Sequence, residues 1–229
     1  MARKKIIFVI VEGPSDEEAL AVIFNRLYDI NTVYVHIMHG DITSARNVSA
    51  SNIRSKIGDE VKQYASANHY NKTDFKEIIH IVDMDGAYVS NVCIVKDACE
   101  KPIYDLEAIR TVNPEGIIQR NLQKSSVLNK LCTTPTIWDV PYHAFYMSCN
   151  LDHVLHDKQN STDEDKENDA YQFAKTYKDD IPAFLTFICD SDFSVLSEYR
   201  ESWEFIKQGK NSLHRYTNLG LYFSKKTEN

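Results

Sequence analysis

Residues 6–11, Ile-Ile-Phe-Val-Ile-Val, form an unbroken run of β-branched and aromatic side chains with no polar position among them. Such a run predicts a strand covered on both faces, as in the middle of a parallel sheet, rather than one with a wet face. The period of the apolar positions then changes. Leu20, Ile23, Phe24 and Leu27 fall on one helical stripe, and Ser15 with Glu18 three places on matches a capping box at its start. Residues 33–38 read as a second strand, Ile53, Ile57, Val61 and Tyr64 as the stripe of a second helix, and residues 78–82 as a third buried strand. This βαβαβ alternation predicts a parallel sheet with right-handed crossovers, whose ligands gather at the carboxyl ends of the strands.

Beyond Gly86 the pattern is broken by Asn113-Pro114, Thr134-Pro135 and Val140-Pro141, which predict a loop-rich insertion holding one helix near residues 116–131. Residues 142–147 read as another sheet strand and 152–157 as a short helix. The acidic run over 161–169 reads as a solvated loop. From 169 to 207 the period is helical, with Phe173, Ala174 and Tyr177, then Phe184, Phe187 and Ile188, then Val195, Trp203 and Ile206 as core faces. The expected architecture is α/β: a parallel central sheet flanked by helices over residues 1–160, with the insertion at about 87–140, and a helical extension over 161–229 packed on that core.

Composition narrows the class. A chain of 229 residues with 43% hydrophobic side chains can bury a sizeable core, which excludes a disordered chain. No apolar run reaches the roughly 18–20 residues a membrane span needs, and the run after the basic Arg3-Lys4-Lys5 is too short for a signal sequence. Five irregularly spaced cysteines without a CxxC indicate neither a disulfide framework nor a zinc ribbon, so a reducing cytoplasm is the expected location. The net charge of −7 argues against broad adhesion to phosphate backbones. Its distribution is uneven: residues 151–180 carry nine acids against four bases, whereas residues from 200 onward carry six bases against three acids. That basic stretch, with Arg3, Lys4 and Lys5, offers places to hold backbone phosphates.

The candidate chemistry lies in carboxylates that end buried strands. Glu12 follows the first strand, where a charge is expensive unless it is paired, and Asp16 lies in the first turn of the next helix. Asp16 has a second reading, since an acid there complements the helix dipole. Asp83 and Asp85 follow the third strand. In extended backbone, residues two apart point the same way, so these two would present a pair of like charges needing a cation or a proton between them. Asp-x-Asp-Gly is also ordinary chemistry for leaving a strand. Two acidic clusters at the ends of parallel strands in one βαβαβ unit favour a shared site, and hard oxygen ligands favour magnesium, manganese or calcium over zinc. Neither GxxxxGK[ST] nor GxGxxG occurs, so the phosphate-cradling loops of those folds are excluded.

Val11-Glu12-Gly13 with Asp16, followed after two more strands by Asp83-Met84-Asp85, resembles the Toprim family over residues 1 to about 90. The segment Tyr146-Met147-Ser148-Cys149-Asn150-Leu151-Asp152 is similar to one in stand-alone OLD-type and RloB-like Toprim nucleases, with aspartate where those usually carry glutamate. The resemblance implies a Toprim fold and a nuclease that hydrolyses phosphodiester bonds in DNA or RNA with two Mg²⁺ or Mn²⁺ ions. It implies Glu12, Asp16, Asp83, Asp85, Ser148 and Asp152 as metal ligands, with Glu12, Asp83 and Asp85 catalytic and Lys207 or Lys210 assisting. By the same resemblance the chain serves as an anti-phage or toxin effector beside a separate ATPase partner. Two other readings stay open: a Toprim module that binds without turnover, and a phosphatase or nucleotide hydrolase using the same metals. His153 and His156 share a helical face but lack the HExxH pattern and read as orienting or surface residues; His36, His39 and His80 read as core-edge residues. Trp138 and Trp203 read as packing groups, with any exposed ring able to stack on an unpaired base.

Overall fold

The β-branched run of residues 6–11 lies within the strand β1 (Lys5–Val11), and its side chains are almost wholly withdrawn from solvent. Each such side chain contributes about 1.5–3 kcal/mol relative to an exposed one. The structure is a computed structural model describing residues 4–28, 33–40 and 42–227. Arg3 lies outside the described residues. The elements that follow β1 are α1 (Pro14–Leu27), β2 (Val33–His39), α2 (Ile53–Ala67), β3 (Phe75–Asp83), β4 (Ile94–Lys96), β5 (Ile103–Tyr104), β6 (Ile109–Thr111), α3 (Pro114–Leu131) and β7 (Thr136–Ile137). After these come β8 (Val140–Ser148), α4 (Leu151–His156), α5 (Asp163–Tyr177), α6 (Ile181–Cys189), α7 (Tyr199–Ile206), β9 (Tyr216–Thr217) and α8 (Gly220–Thr227).

The fold is α/β, with a central sheet in the order β2-β1-β3-β8-β7, β9 added on β8, and flanking helices. It is compatible with the Rossmann-like class. β1 pairs in parallel with β2 and with β3, as the alternating pattern predicts. The sheet as a whole is mixed rather than parallel, because β7 and β9 run antiparallel to β8. The cause at β7 is local: Trp138 and Asp139 are the only two residues between the strands, at φ 53° and 57°. Two positive-φ residues make the tight hairpin that folds a strand straight back. A second, small sheet, β4-β6-β5, fills the stretch expected to be loop-rich.

The chain divides into two compact units. One takes Met1–Ile81, Ser126–Phe145 and Ala170–Ile181; the other takes Val82–Ser125, Tyr146–Asp169 and Pro182–Asn229. In the first, β1 packs with Leu20, Ile23 and Phe24 of α1 and Ile57 and Val61 of α2 among the buried residues, and His36 stacks on Tyr64 with centroids 3.8 Å apart. His80, expected at the core edge, is wholly buried, its Nδ1 2.9 Å from the Tyr142 hydroxyl. In the second, Val89, Ile94, Ile109, Ile117, Cys149 and Leu213 form one apolar cluster, and Trp203 meets Tyr146 edge to face.

Two helix starts differ from their expected form. The cap of α1 is Gly13, and the side chain that closes it is Asp16, whose Oδ2 accepts the Gly13 N–H at 2.8 Å, in place of the expected Ser15 and Glu18. Residues 163–169, expected in a solvated loop, are helical. Thr162 and Asp165 cap each other there, Thr162 N–H donating to Asp165 Oδ2 and Asp165 N–H to Thr162 Oγ1, and Asp163, Glu164 and Asp165 complement the positive end of α5. Acids that look merely solvated in the sequence therefore start a helix. No helix among the described residues is long and apolar enough to cross a membrane.

Candidate active site

β3 ends at Asp83, and the chain then turns instead of continuing extended. Met84 N–H and Asp85 N–H both donate to the Cys149 carbonyl, at 2.9 and 2.7 Å, while Asp85 and Gly86 take φ values of 46° and 65°. Gly86 is required twice over, since a Cβ there would lie 2.8 Å from Leu213 Cδ2 and 2.9 Å from Ile109 Cδ1 in a left-handed conformation. Asp83 and Asp85 both line one cleft, and the turn brings them there rather than the two-residue repeat of a strand.

That cleft, in the second unit, has a volume of about 500 Å³ and is bounded by Asp83, Asp85, Tyr104, Asn150, Lys101 and Lys166, among others. Asp83 is fixed by accepting the Leu151 N–H on Oδ1 at 2.9 Å, at the start of α4. Asp85 is held from α3. Lys124, with no exposed surface, donates to its Oδ2, and Arg120 donates to its carbonyl at 2.7 Å. Arg120 also donates to the Tyr104 hydroxyl at 2.6 Å, and Asn121 Nδ2 donates to the Gly86 carbonyl at 3.1 Å. One face of α3 thus grips the whole turn. Burial by itself would raise the Asp85 carboxyl, but Lys124 and then Arg120 hold it below the usual carboxylate range, so it is ionised at neutral pH. Burial raises the Tyr104 phenol, helped by Asp85. The Cys149 thiol is pushed up by burial and by both aspartates, which makes it an inert packing group rather than a nucleophile.

The remaining predicted residues sit as follows. Glu12 and Asp16 belong to the first unit: Glu12 is half-buried and accepts from Thr43 Oγ1 at 3.0 Å, and Asp16 closes the cap of α1. In the second unit Ser148 is buried and donates its hydroxyl to the Asn211 carbonyl at 2.8 Å. Asp152, also buried, pairs with Lys166 at 3.3 Å. Lys207 pairs with Glu204 at 3.0 Å and Lys210 with Glu107, and neither lysine lines the cleft. His153 is buried, which excludes a surface role; its Nδ1 accepts the Cys149 N–H at 3.0 Å, and burial lowers its pKa to about 4. Of the N-terminal lysines, Lys5 donates to the Thr73 carbonyl at 2.6 Å.

Sequence reasoning missed Arg120, Asn121, Lys124 and Lys166. A signal for the α3 residues was present. Ile117, Asn121, Lys124, Leu128 and Leu131 recur at helical spacing, so Asn121 and Lys124 occupy the apolar stripe of α3, and a lysine there needs a buried partner.

Among the described residues, no group of three or more His, Cys, Asp or Glu side chains is arranged to hold a metal ion. Magnesium asks for less: it is commonly held by one or two carboxylates, with water and substrate phosphate completing its shell. Asp83 and Asp85 place two donors of that hard-oxygen type on one cleft. No protein-family model, curated protein or solved structure matches the chain.

Proposed function

We propose that the cleft containing Asp83 and Asp85 hydrolyses phosphodiester bonds in DNA or RNA with Mg²⁺ or Mn²⁺, in the manner of a Toprim nuclease. The observation that carries this reading is that both aspartates of the Asp83-Met84-Asp85 motif line one cleft together with Lys101 and Lys166. Asp83, oriented by the Leu151 N–H, and Asp85, kept ionised by Lys124, would hold the metal. When bound, the metal supplies a polarised phosphoryl oxygen and a more acidic water. Lys101 and Lys166 attract the phosphate, and the charge they place beside it favours the more negative transition state. Glu12 and Asp16 enter as further ligands, and an ATPase enters as partner, through the sequence resemblance alone.

A second reading is a module that binds phosphate without turnover. It is favoured by Lys124, whose ammonium already offsets the charge of Asp85. Incubating plasmid DNA and structured RNA with Mg²⁺ or Mn²⁺ separates the two, with Asp83→Asn and Glu12→Gln as controls. The nuclease reading expects cleavage that stops with EDTA and falls at least a hundredfold in Asp83→Asn. Binding without cleavage supports the module. Cleavage that survives both substitutions removes the mechanism.

A further inference from the structure

The first unit carries a second cavity, of about 450 Å³, that the proposed hydrolysis does not use. Arg54 and Lys62 reach it from one face of α2, Ser51 from the turn just before that helix, Lys130 from the last turn of α3, and Ile137 with Trp138 from the β7–β8 hairpin. Among the described residues, no acidic side chain lines it. Arg54, Lys62 and Lys130 are exposed cations. Arg54 donates to the Thr136 carbonyl at 3.2 Å and Lys62 pairs with Asp59 at 3.2 Å, so both heads are steered but remain in water. Three cations around one concavity, on a chain whose net charge is −7, concentrate positive potential where the protein as a whole repels anions.

The floor is aromatic. Trp138 is half-buried, braced edge-on by Phe75 with centroids 5.8 Å apart, and presented by its left-handed backbone at the tip of the hairpin. An indole beside lysines and an arginine matches a ligand with a flat ring at one end and phosphate at the other: bases stack on aromatic rings while cations hold the backbone. The positive end of α2, capped at Asn52 next to Ser51, adds to the same field.

We infer that this cavity is a nucleotide-phosphate site, stacking a base on Trp138 and holding phosphate with Arg54, Lys62 and Lys130. The source of the phosphate is either single-stranded nucleic acid or a free nucleotide. The site does not depend on the chemistry of the aspartate cleft, and its test contains no metal.

The full chain is titrated in EDTA with fluorescein-labelled hexathymidylate, followed by anisotropy and by tryptophan emission. Thymidine 5′-monophosphate is titrated in parallel by tryptophan emission alone. Trp203 is 1% exposed, so quenching by a bound base reports on Trp138. The expected result is quenching on binding, with affinity at least tenfold weaker in the double variant Lys62→Gln/Lys130→Gln. For the oligonucleotide, the slope of log affinity against log salt becomes shallower by ~1.4, at ~0.7 for each phosphate no longer neutralised. Both lysines are exposed on helices, and circular dichroism checks that the variant is folded. Quenching by hexathymidylate with that lysine dependence assigns the site to single strands; quenching by the mononucleotide alone assigns it to a free nucleotide. Absence of quenching, or affinity and salt slope unchanged in the double variant, overturns the inference. Because the titration contains no metal and reads the Lys62 and Lys130 dependence of tryptophan quenching, its failure is separate from failure of the nuclease reading.

Discussion

Lys124, a residue with no exposed surface, places its ammonium on the carboxylate of Asp85, 39 residues earlier in the chain. The two are not equally buried, since Asp85 reaches the cleft, and removing either partner therefore has a different cost. Asp85→Asn deprives a buried ammonium of this carboxylate and should destabilise by about 3 kcal/mol. Lys124→Met should cost less, because the carboxylate left behind can be solvated from the cleft. Denaturant titrations of both single variants and the double variant should give a coupling energy of at least about 1 kcal/mol.

The same pair has a pH signature. Asp85 titrates below its ordinary value in the folded chain, so its contribution is present above the unfolded value near 3.9 and disappears as pH falls through the lowered one. The stability gap between wild type and Asp85→Asn, measured by urea denaturation, should be constant from pH 7 to 5 and shrink below about pH 4.

His153 works in the same direction at higher pH. Its folded pKa of about 4 lies below the unfolded 6.5, so between these values the unfolded chain binds the proton and the folded chain does not. Acidification from pH 7 to 4 should remove up to about 3 kcal/mol through this residue, at 1.36 kcal/mol per unit. His153→Gln, which has no titrating group, should show a flatter stability profile over that interval in urea titrations.

Gly86→Ala tests the turn that carries Asp85. The added methyl meets Leu213 and Ile109 in a positive-φ backbone, and a loss of about 2–4 kcal/mol is expected from overpacking and strain together. If the turn also positions Asp85 for binding, Mn²⁺ affinity measured by calorimetry should fall in the fraction that remains folded.

Asp16→Ala tests whether the acid at the start of α1 is structural. Loss of the Gly13 cap should lower stability by about 1 kcal/mol, with Asp16→Asn close to wild type because an amide oxygen still accepts the bond. A stable Asp16→Asn protein that loses metal-dependent cleavage would instead assign the residue to the metal.

The first three strands and two helices are legible in the sequence because burial on both faces of a strand and on one face of a helix leaves periodic traces that short-range physics alone enforces. The antiparallel turn at Trp138-Asp139 is not, because neither residue carries the glycine or asparagine signature of its backbone angles. The acids of residues 163–165 mislead for a related reason: charge shows a solvated position, and only the reciprocal bonds of Thr162 and Asp165 show a helix start.

By itself, then, the sequence determined the α/β class, the parallel start of the sheet and the acids that end its strands, all consequences of where apolar side chains recur. Only the tertiary structure decided which partners those acids take. Lys124 and Arg120 with Asp85, Lys166 with Asp152 and the Leu151 N–H with Asp83 join elements through packing. A charge finds its partner across such distances in the chain only after apolar burial has fixed the elements, so the pairing leaves no periodic trace in the order of residues.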